Sequence, residues 1–117
     1  NRDMQNFGSE MEGVAAQYLE STHGWRLLER NVRFREGEID LIMVAGNELR
    51  FVEVKARRNE NFGGVVESVT TRKIQRLRRA IYRWRERSKD TRNGQMFFVG
   101  ILAVPNKALT IEEHFIE

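Results

Sequence analysis

Asp40, Glu53 and Lys55, with Glu38 beside them, are the residues of this 117-residue chain best spaced to do chemistry. The segment from Glu38 to Val44 reads as a strand, Gly46-Asn47 as a two-residue hairpin turn of the Gly-first kind, and Glu48 to Lys55 as the returning strand. A two-residue loop fixes the register, predicting that Ala45 pairs with Glu48, Ile42 with Phe51, Asp40 with Glu53 and Glu38 with Lys55. Directly opposed side chains have Cβ atoms roughly 4.5–5.5 Å apart, and like charges at that distance destabilise a sheet. A bound cation would offset the repulsion. Two carboxylates offer hard oxygen ligands suited to Mg²⁺ or Mn²⁺, which keep several waters and bind through few protein groups plus substrate phosphates. The ammonium of Lys55 would then orient the attacking water or help deprotonate it. The plainer alternative is a polar strand end with a Glu38–Lys55 cross-strand salt bridge.

The flanking pattern indicates what must hold these residues. Toward the turn, Ile42, Val44, Leu49 and Phe51 share the face of the four polar residues, while Ile39, Leu41, Met43, Val52 and Val54 occupy the other with Arg50. Both faces are largely apolar, as in a sheet covered on both sides. Upstream, Ser9-Glu10-Met11-Glu12 matches a capping box with Ser9 as N-cap, and Met11, Val14, Ala15, Tyr18 and Leu19 recur at helical spacing. Glu12, the third residue of that box, is expected to satisfy backbone N–H groups at the helix start. His23-Gly24 stops that helix, and a strand through Trp25, Leu27 and Val32 to Phe34 leads into the hairpin. From Ala56 to Ser68 the chain is polar and rich in Gly and Asn, predicting a mobile loop beside the site.

Thr70 is placed to cap a second helix, with Val69 and Ile74 as a hydrophobic staple and Ile74, Leu77, Ile81 and Trp84 as its core stripe. Asn93-Gly94 ends that unit. Met96 to Val104 reads as a buried strand, parallel to the Glu48–Lys55 strand through a right-handed helical crossover. Leu109 and Ile111 suggest a short edge strand. The predicted order is α-β-β-β-α-β in one α/β domain spanning residues 1–117, a mixed sheet flanked by helices.

Charge is distributed unevenly. Residues 72–92 hold ten of the twenty Lys and Arg residues against Glu86 and Asp90, a local charge of +8 within a total of +3. Arg72, Lys73, Arg76, Arg79 and Arg83 point to phosphate contact, since helix surfaces ordinarily alternate the two signs, and Arg57 and Arg58 would lead the backbone toward Lys55. No zinc finger or helix-turn-helix pattern accompanies them, so recognition by shape or branching is expected rather than base readout. The absence of cysteine excludes disulfides and thiolate metal sites and fits a cytoplasmic setting. No apolar run approaches a membrane span, and Asn1-Arg2-Asp3-Met4 lacks signal-peptide character. His23 and His114 lack zinc-type spacing and are assigned to a helix end or the surface.

Asp40 followed by Glu53-Val54-Lys55 matches the signature of the PD-(D/E)XK nuclease superfamily. A closer resemblance runs through Glu12, Arg30-Asn31-Val32-Arg33, Gly37-Glu38-Ile39-Asp40-Leu41-Ile42, Phe51-Val52-Glu53-Val54-Lys55-Ala56-Arg57, Phe62-Gly63 and Val69-Thr70 with Lys73. In these stretches the chain resembles the YraN-type family of proposed endonucleases. The resemblance implies a restriction-endonuclease-like fold related to Holliday-junction resolvases. It further implies Mg²⁺ or Mn²⁺ held by Asp40, Glu53 and the Val54 carbonyl, Lys55 near the attacking water, and Glu12 contributing from the first helix. Glu38, opposite Lys55 in the predicted register, is expected to order that lysine rather than to bind metal. DNA is the expected partner, and a homodimer would serve cleavage of both strands. The chain departs from the family at Phe97-Phe98-Val99-Gly100, where the family reads Phe-Asp-Val-Val. That missing acid leaves a non-catalytic nucleic-acid-binding module as the alternative.

Overall fold

The computed structural model describes residues 2–59 and 69–116, with side chains from Asn6 onward. The chain runs through α1 (Arg2–His23), β1 (Arg26–Phe34), β2 (Gly37–Ala45), β3 (Glu48–Arg57), α2 (Thr71–Ser88), β4 (Gly94–Leu102) and β5 (Thr110–Ile116). The strands form one sheet in sequence order, and only β3 and β4 are parallel, joined by α2 as the crossover requires. This is the mixed α/β arrangement expected from the sequence, with the α-β-β-β-α-β order intact and β5 added at the edge.

Hydrophobic patterning divides the core between the two faces. On one side Met11, Ala15, Ala16 and Leu19 of α1 pack on Leu41, Met43, Val52, Phe97, Val99 and Ile101. Trp25 adds an edge-on contact with Phe97, ring centroids 5.1 Å apart. On the other side Leu77, Ala80 and Trp84 of α2 cover Ile42, Val44, Leu49, Phe51 and Met96. Trp84 meets Phe51 edge-on at 5.7 Å and donates its indole N–H to Glu29 at 2.9 Å.

Helix ends follow largely from local chemistry. Gly24, at φ +72°, closes α1 by donating its N–H to the Glu20 carbonyl at 2.9 Å. Thr70 caps α2, its hydroxyl accepting the Lys73 N–H at 3.2 Å. That helix ends at Lys89, in the left-handed region at φ +62°, before the expected Asn93-Gly94 stop. Gly94 instead opens β4, where a Cβ would lie 2.6 Å from the Phe51 ring.

The Ser9 capping box does not form. Ser9 and Glu12 lie well inside α1, because Phe7 extends the apolar stripe by a turn and packs against the α1 cluster. Of the expected loop, Ala56 and Arg57 continue β3. Residues 60–68, with Phe62-Gly63, lie outside the described residues, as does the expectation of mobility there.

Candidate active site

The Gly46-Asn47 turn sets the predicted register, with Gly46 at φ +65° as a Gly-first turn demands. Pairing between β2 and β3 runs from Ala45–Glu48 through Ile42–Phe51 to Leu41–Val52, and there it stops. The expected Asp40–Glu53 and Glu38–Lys55 ladder pairs do not form. Beyond Leu41, β2 stays with β1 through Ile39–Val32, Glu38–Arg33 and Gly37–Phe34, while β3 stays with β4 as far as Arg57–Leu102. The two strands part as a fork, and Asp40 sits in its crotch.

The backbone makes room for this by breaking its alternation. Ile39, expected on the face of Leu41, packs instead in the α2 cluster with Ile42 and Val44. Asn31 lies between the Arg30–Leu41 and Val32–Ile39 pairs, opposite Asp40, and takes φ +54°. Asn tolerates that left-handed position better than most residues. Both strands therefore change face together without losing register. In place of a ladder bond, Asp40 Oδ2 accepts the Val54 backbone N–H at 2.8 Å.

Asp40 is the one charged residue in the described core, at 9% exposure. Burial first, and then the charge of Glu53, push its pKa up to about 8, against the Val54 hydrogen bond. Burial also raises Glu53, opposed chiefly by Lys73 and then by Lys55, and its carboxyl shares a hydrogen bond with Asp40. Two carboxyl groups thus face each other across the fork, one of them readily protonated at neutral pH. Lys73, counted from sequence among phosphate contacts, proves to be the cation with the largest influence on Glu53. Its position follows from the Thr70 cap, which fixes the first turn of α2.

Glu12 enters from α1. Burial raises its pKa against the opposing influence of Arg30 and Asn31. Arg30 Nη2 lies 3.5 Å from Glu12 Oε1 and donates to the Ser9 carbonyl at 2.8 Å, yet Oε1 is buried and accepts no hydrogen bond among the described residues. Glu38 pairs with Arg33 at 3.6 Å rather than with Lys55, because the fork carries β2 away from β3. Its charge still raises Asp40, Glu53 and Glu12. Arg30 and Asn31 were visible in sequence only as part of the family resemblance. A left-handed residue inside a strand leaves no mark on apolar periodicity.

Among the described residues, no group of three or more His, Cys, Asp and Glu is arranged to hold a metal. The fit to Mg²⁺ or Mn²⁺ therefore rests on Asp40 and Glu53. Two partly desolvated carboxyl groups, each raised by burial and sharing a hydrogen bond, with lysines nearby, suit a divalent ion that retains most of its waters.

The basic helix divides into two halves. Arg72, Arg76, Arg78 and Arg79 are exposed and form no ion pair among the described residues. Arg83 pairs with Glu36 at 3.1 Å and Glu86 at 3.8 Å, and Arg87 pairs with Glu29 at 2.9 Å. Both guanidinium groups lie over Phe34, at 5.9 and 5.3 Å. The free cations are consequently those nearest Lys73 and the fork. Arg57 and Arg58 follow Lys55 on the other side, where Arg58 sits 4.2 Å above the Phe7 ring. Phe98, where the resembling family has an acid, is 1% exposed and registers with Glu53 on β4.

Comparison with known proteins falls on this same framework. The model of the uncharacterised protein family UPF0102 matches residues 11–101, from α1 through β4. The chain belongs to that family. A UPF0102 protein of Shewanella loihica is 49% identical over 73 residues, covering 62% of this chain and 63% of that protein. One from Symbiobacterium thermophilum is 50% identical over 72 residues, 62% and 60% of the two chains, and one from Halorhodospira halophila is 48% identical over 82 residues, 70% and 67%. The match thus spans a little under two thirds of the first of these UPF0102 relatives. Among the described residues of this member, no helix is long and apolar enough to cross a membrane.

Proposed function

We propose that this UPF0102 protein is a metal-dependent DNA endonuclease hydrolysing phosphodiester bonds, with a preference for branched or structured DNA. The observation that carries the reading is the fork: a carboxylate pair, buried Asp40 and half-buried Glu53, where the β2–β3 ladder ends, with Lys55 and Lys73 acting on it. The PD-(D/E)XK signature and the YraN-type resemblance support it independently. Asp40 and Glu53 would hold Mg²⁺ or Mn²⁺, with the Val54 carbonyl implied by the resemblance, and the chemistry supplied there is neutralisation of phosphate charge and activation of water. Lys55 orients the water that attacks phosphorus as the bond to the leaving oxygen breaks. Lys73 counters the negative charge of Glu53, and Arg72, Arg76 and Arg79 grip phosphates beside the scissile one.

The test is cleavage of linear duplex, flap and four-way-junction DNA in Mg²⁺ and in Mn²⁺. Lys55→Ala is expected to lose turnover while retaining Mn²⁺ and DNA binding, the behaviour of a group acting mainly in the transition state. Asp40→Ala and Glu53→Ala are expected to lose metal binding as well. The burial of Phe98 beside Glu53 favours a second reading, a binding module that keeps the fold without turnover. Wild-type protein that binds metal and these DNAs but cuts none would select that reading.

A further inference from the structure

A cavity of about 430 Å³ opens beside the fork on the α1 side. Phe7, Met11, Val54 and Ala56 give it an apolar lining, and Lys55 and Arg58 give it charge. Its volume lies within the roughly 300–1,000 Å³ of small-molecule sites. A second, polar cavity of about 510 Å³ lies on the β1 side, and Gly8 and Glu12 line both. The pair forms a trough across α1, on the opposite side of the sheet from the free arginines of α2.

Two features indicate that the trough is meant to be filled. Gly8 lies inside a helix, where glycine is unfavourable, and a Cβ there would meet nothing within 4 Å. Among the described residues no packing neighbour requires this glycine; what it preserves there is open space. The cavity's walls also include Glu12 and Arg57, each with a polar atom shut off from solvent and without a hydrogen-bond partner among the described residues, Glu12 Oε1, 3.5 Å from Arg30 Nη2, and Arg57 Nε. Buried polar groups normally find partners. An apolar floor, an aromatic ring and a guanidinium match an unstacked nucleotide, whose base stacks on rings or guanidinium planes.

We infer that the trough receives an unpaired nucleotide adjoining the scissile phosphate, so that the preferred substrate is DNA at a duplex-to-single-strand boundary. This rests on the endonuclease reading for the scissile phosphate, but not for the binding itself. Duplex backbone lies along the free cations of α2, and the departing single strand crosses α1 between Phe7 and Gly8.

The experiment measures binding in chelator, with no divalent cation, so that turnover plays no part. The probes are a blunt duplex and the same duplex with a short 3′ or 5′ single-stranded extension carrying 2-aminopurine next to the junction. Wild type is expected to bind an extended duplex about tenfold more tightly than the blunt one, the order expected of one base–aromatic stack, with a change in 2-aminopurine emission. Phe7→Leu should lose most of that advantage. Gly8→Leu fills the trough at a helical position with room for a side chain, so it should lose the advantage while melting no lower than wild type. Equal affinity for blunt and extended DNA in wild type overturns the inference, as does an advantage that survives in folded Gly8→Leu. Absence of cleavage in Mg²⁺ and Mn²⁺ alongside an intact extension preference would defeat the endonuclease reading alone.

Discussion

Asp40 is held where a carboxylate is most uncomfortable, buried, facing a second carboxylate, and stabilised mainly by one backbone N–H. Its raised pKa gives stability a definite sign. A group that binds its proton more tightly folded than unfolded contributes stability that is complete below the unfolded pKa and lost as pH rises through the folded one. Metal-free protein should therefore lose stability between about pH 4, the ordinary carboxylate range, and about pH 8, where Asp40 titrates. Asp40→Asn should flatten that decline, since an amide oxygen can still accept the Val54 N–H, and should be as stable as wild type or more so at pH 8. Wild type alone should recover stability with Mn²⁺, by about 2.7 kcal/mol at a hundredfold excess over Kd. Thermal melts across pH, with and without Mn²⁺, check both statements, and equal Mn²⁺ shifts in the two proteins would move the metal elsewhere.

The elements explain why the hairpin was legible and the fork was not. A two-residue turn dictates register only while a ladder persists. Apolar alternation placed Ile42, Phe51, Leu41 and Val52 correctly, but nothing in periodicity reveals that Asn31 turns left-handed and Ile39 changes face. The Ser9 motif misled for a similar reason, because the pattern of a capping box carries no information about whether the helix has already begun. For α2, apolar spacing identified the buried stripe, whereas the partners of its arginines are tertiary. Replacing Arg72, Arg76 and Arg79 with Gln should flatten the dependence of log K for DNA on log salt by up to about 3, at about 0.9 for each phosphate no longer neutralised. Arg83→Gln should leave that slope nearly unchanged. Helix placement has its own test at Gly37, where a Cβ would stand 2.2 Å from the Arg76 carbonyl oxygen. Gly37→Ala must push α2 off β2, at a cost of about 1–3 kcal/mol in stability, with weaker DNA binding as Lys73 and Arg76 shift.

At the scale of the whole molecule, the sheet separates two layers, one packed under α1 and one under α2. The far edge is secured differently: Glu113 on β5 accepts hydrogen bonds from Tyr18 and, at 2.5 Å, from His23, both on α1. Burial would raise the Glu113 carboxyl, but those two partners prevail and hold it below its ordinary value. Its contribution is therefore present above the unfolded carboxylate pKa and lost as pH falls through the folded one. Glu113→Gln should accelerate amide exchange in β5 at neutral pH, and wild-type β5 should approach that behaviour under acid, after allowance for the intrinsic pH dependence of exchange. The edge strand itself was readable from Leu109 and Ile111; its tether to α1 joins residues too distant in sequence for any pattern to link them. The two tryptophans belong to different layers, Trp25 against Phe97 beneath α1 and Trp84 against Phe51 beneath α2. Each layer thus carries its own intrinsic fluorophore, the buried Trp84 expected to emit at shorter wavelength than the half-buried Trp25. Single-tryptophan variants would consequently reveal by emission alone whether a ligand at the fork is sensed by one layer or by both.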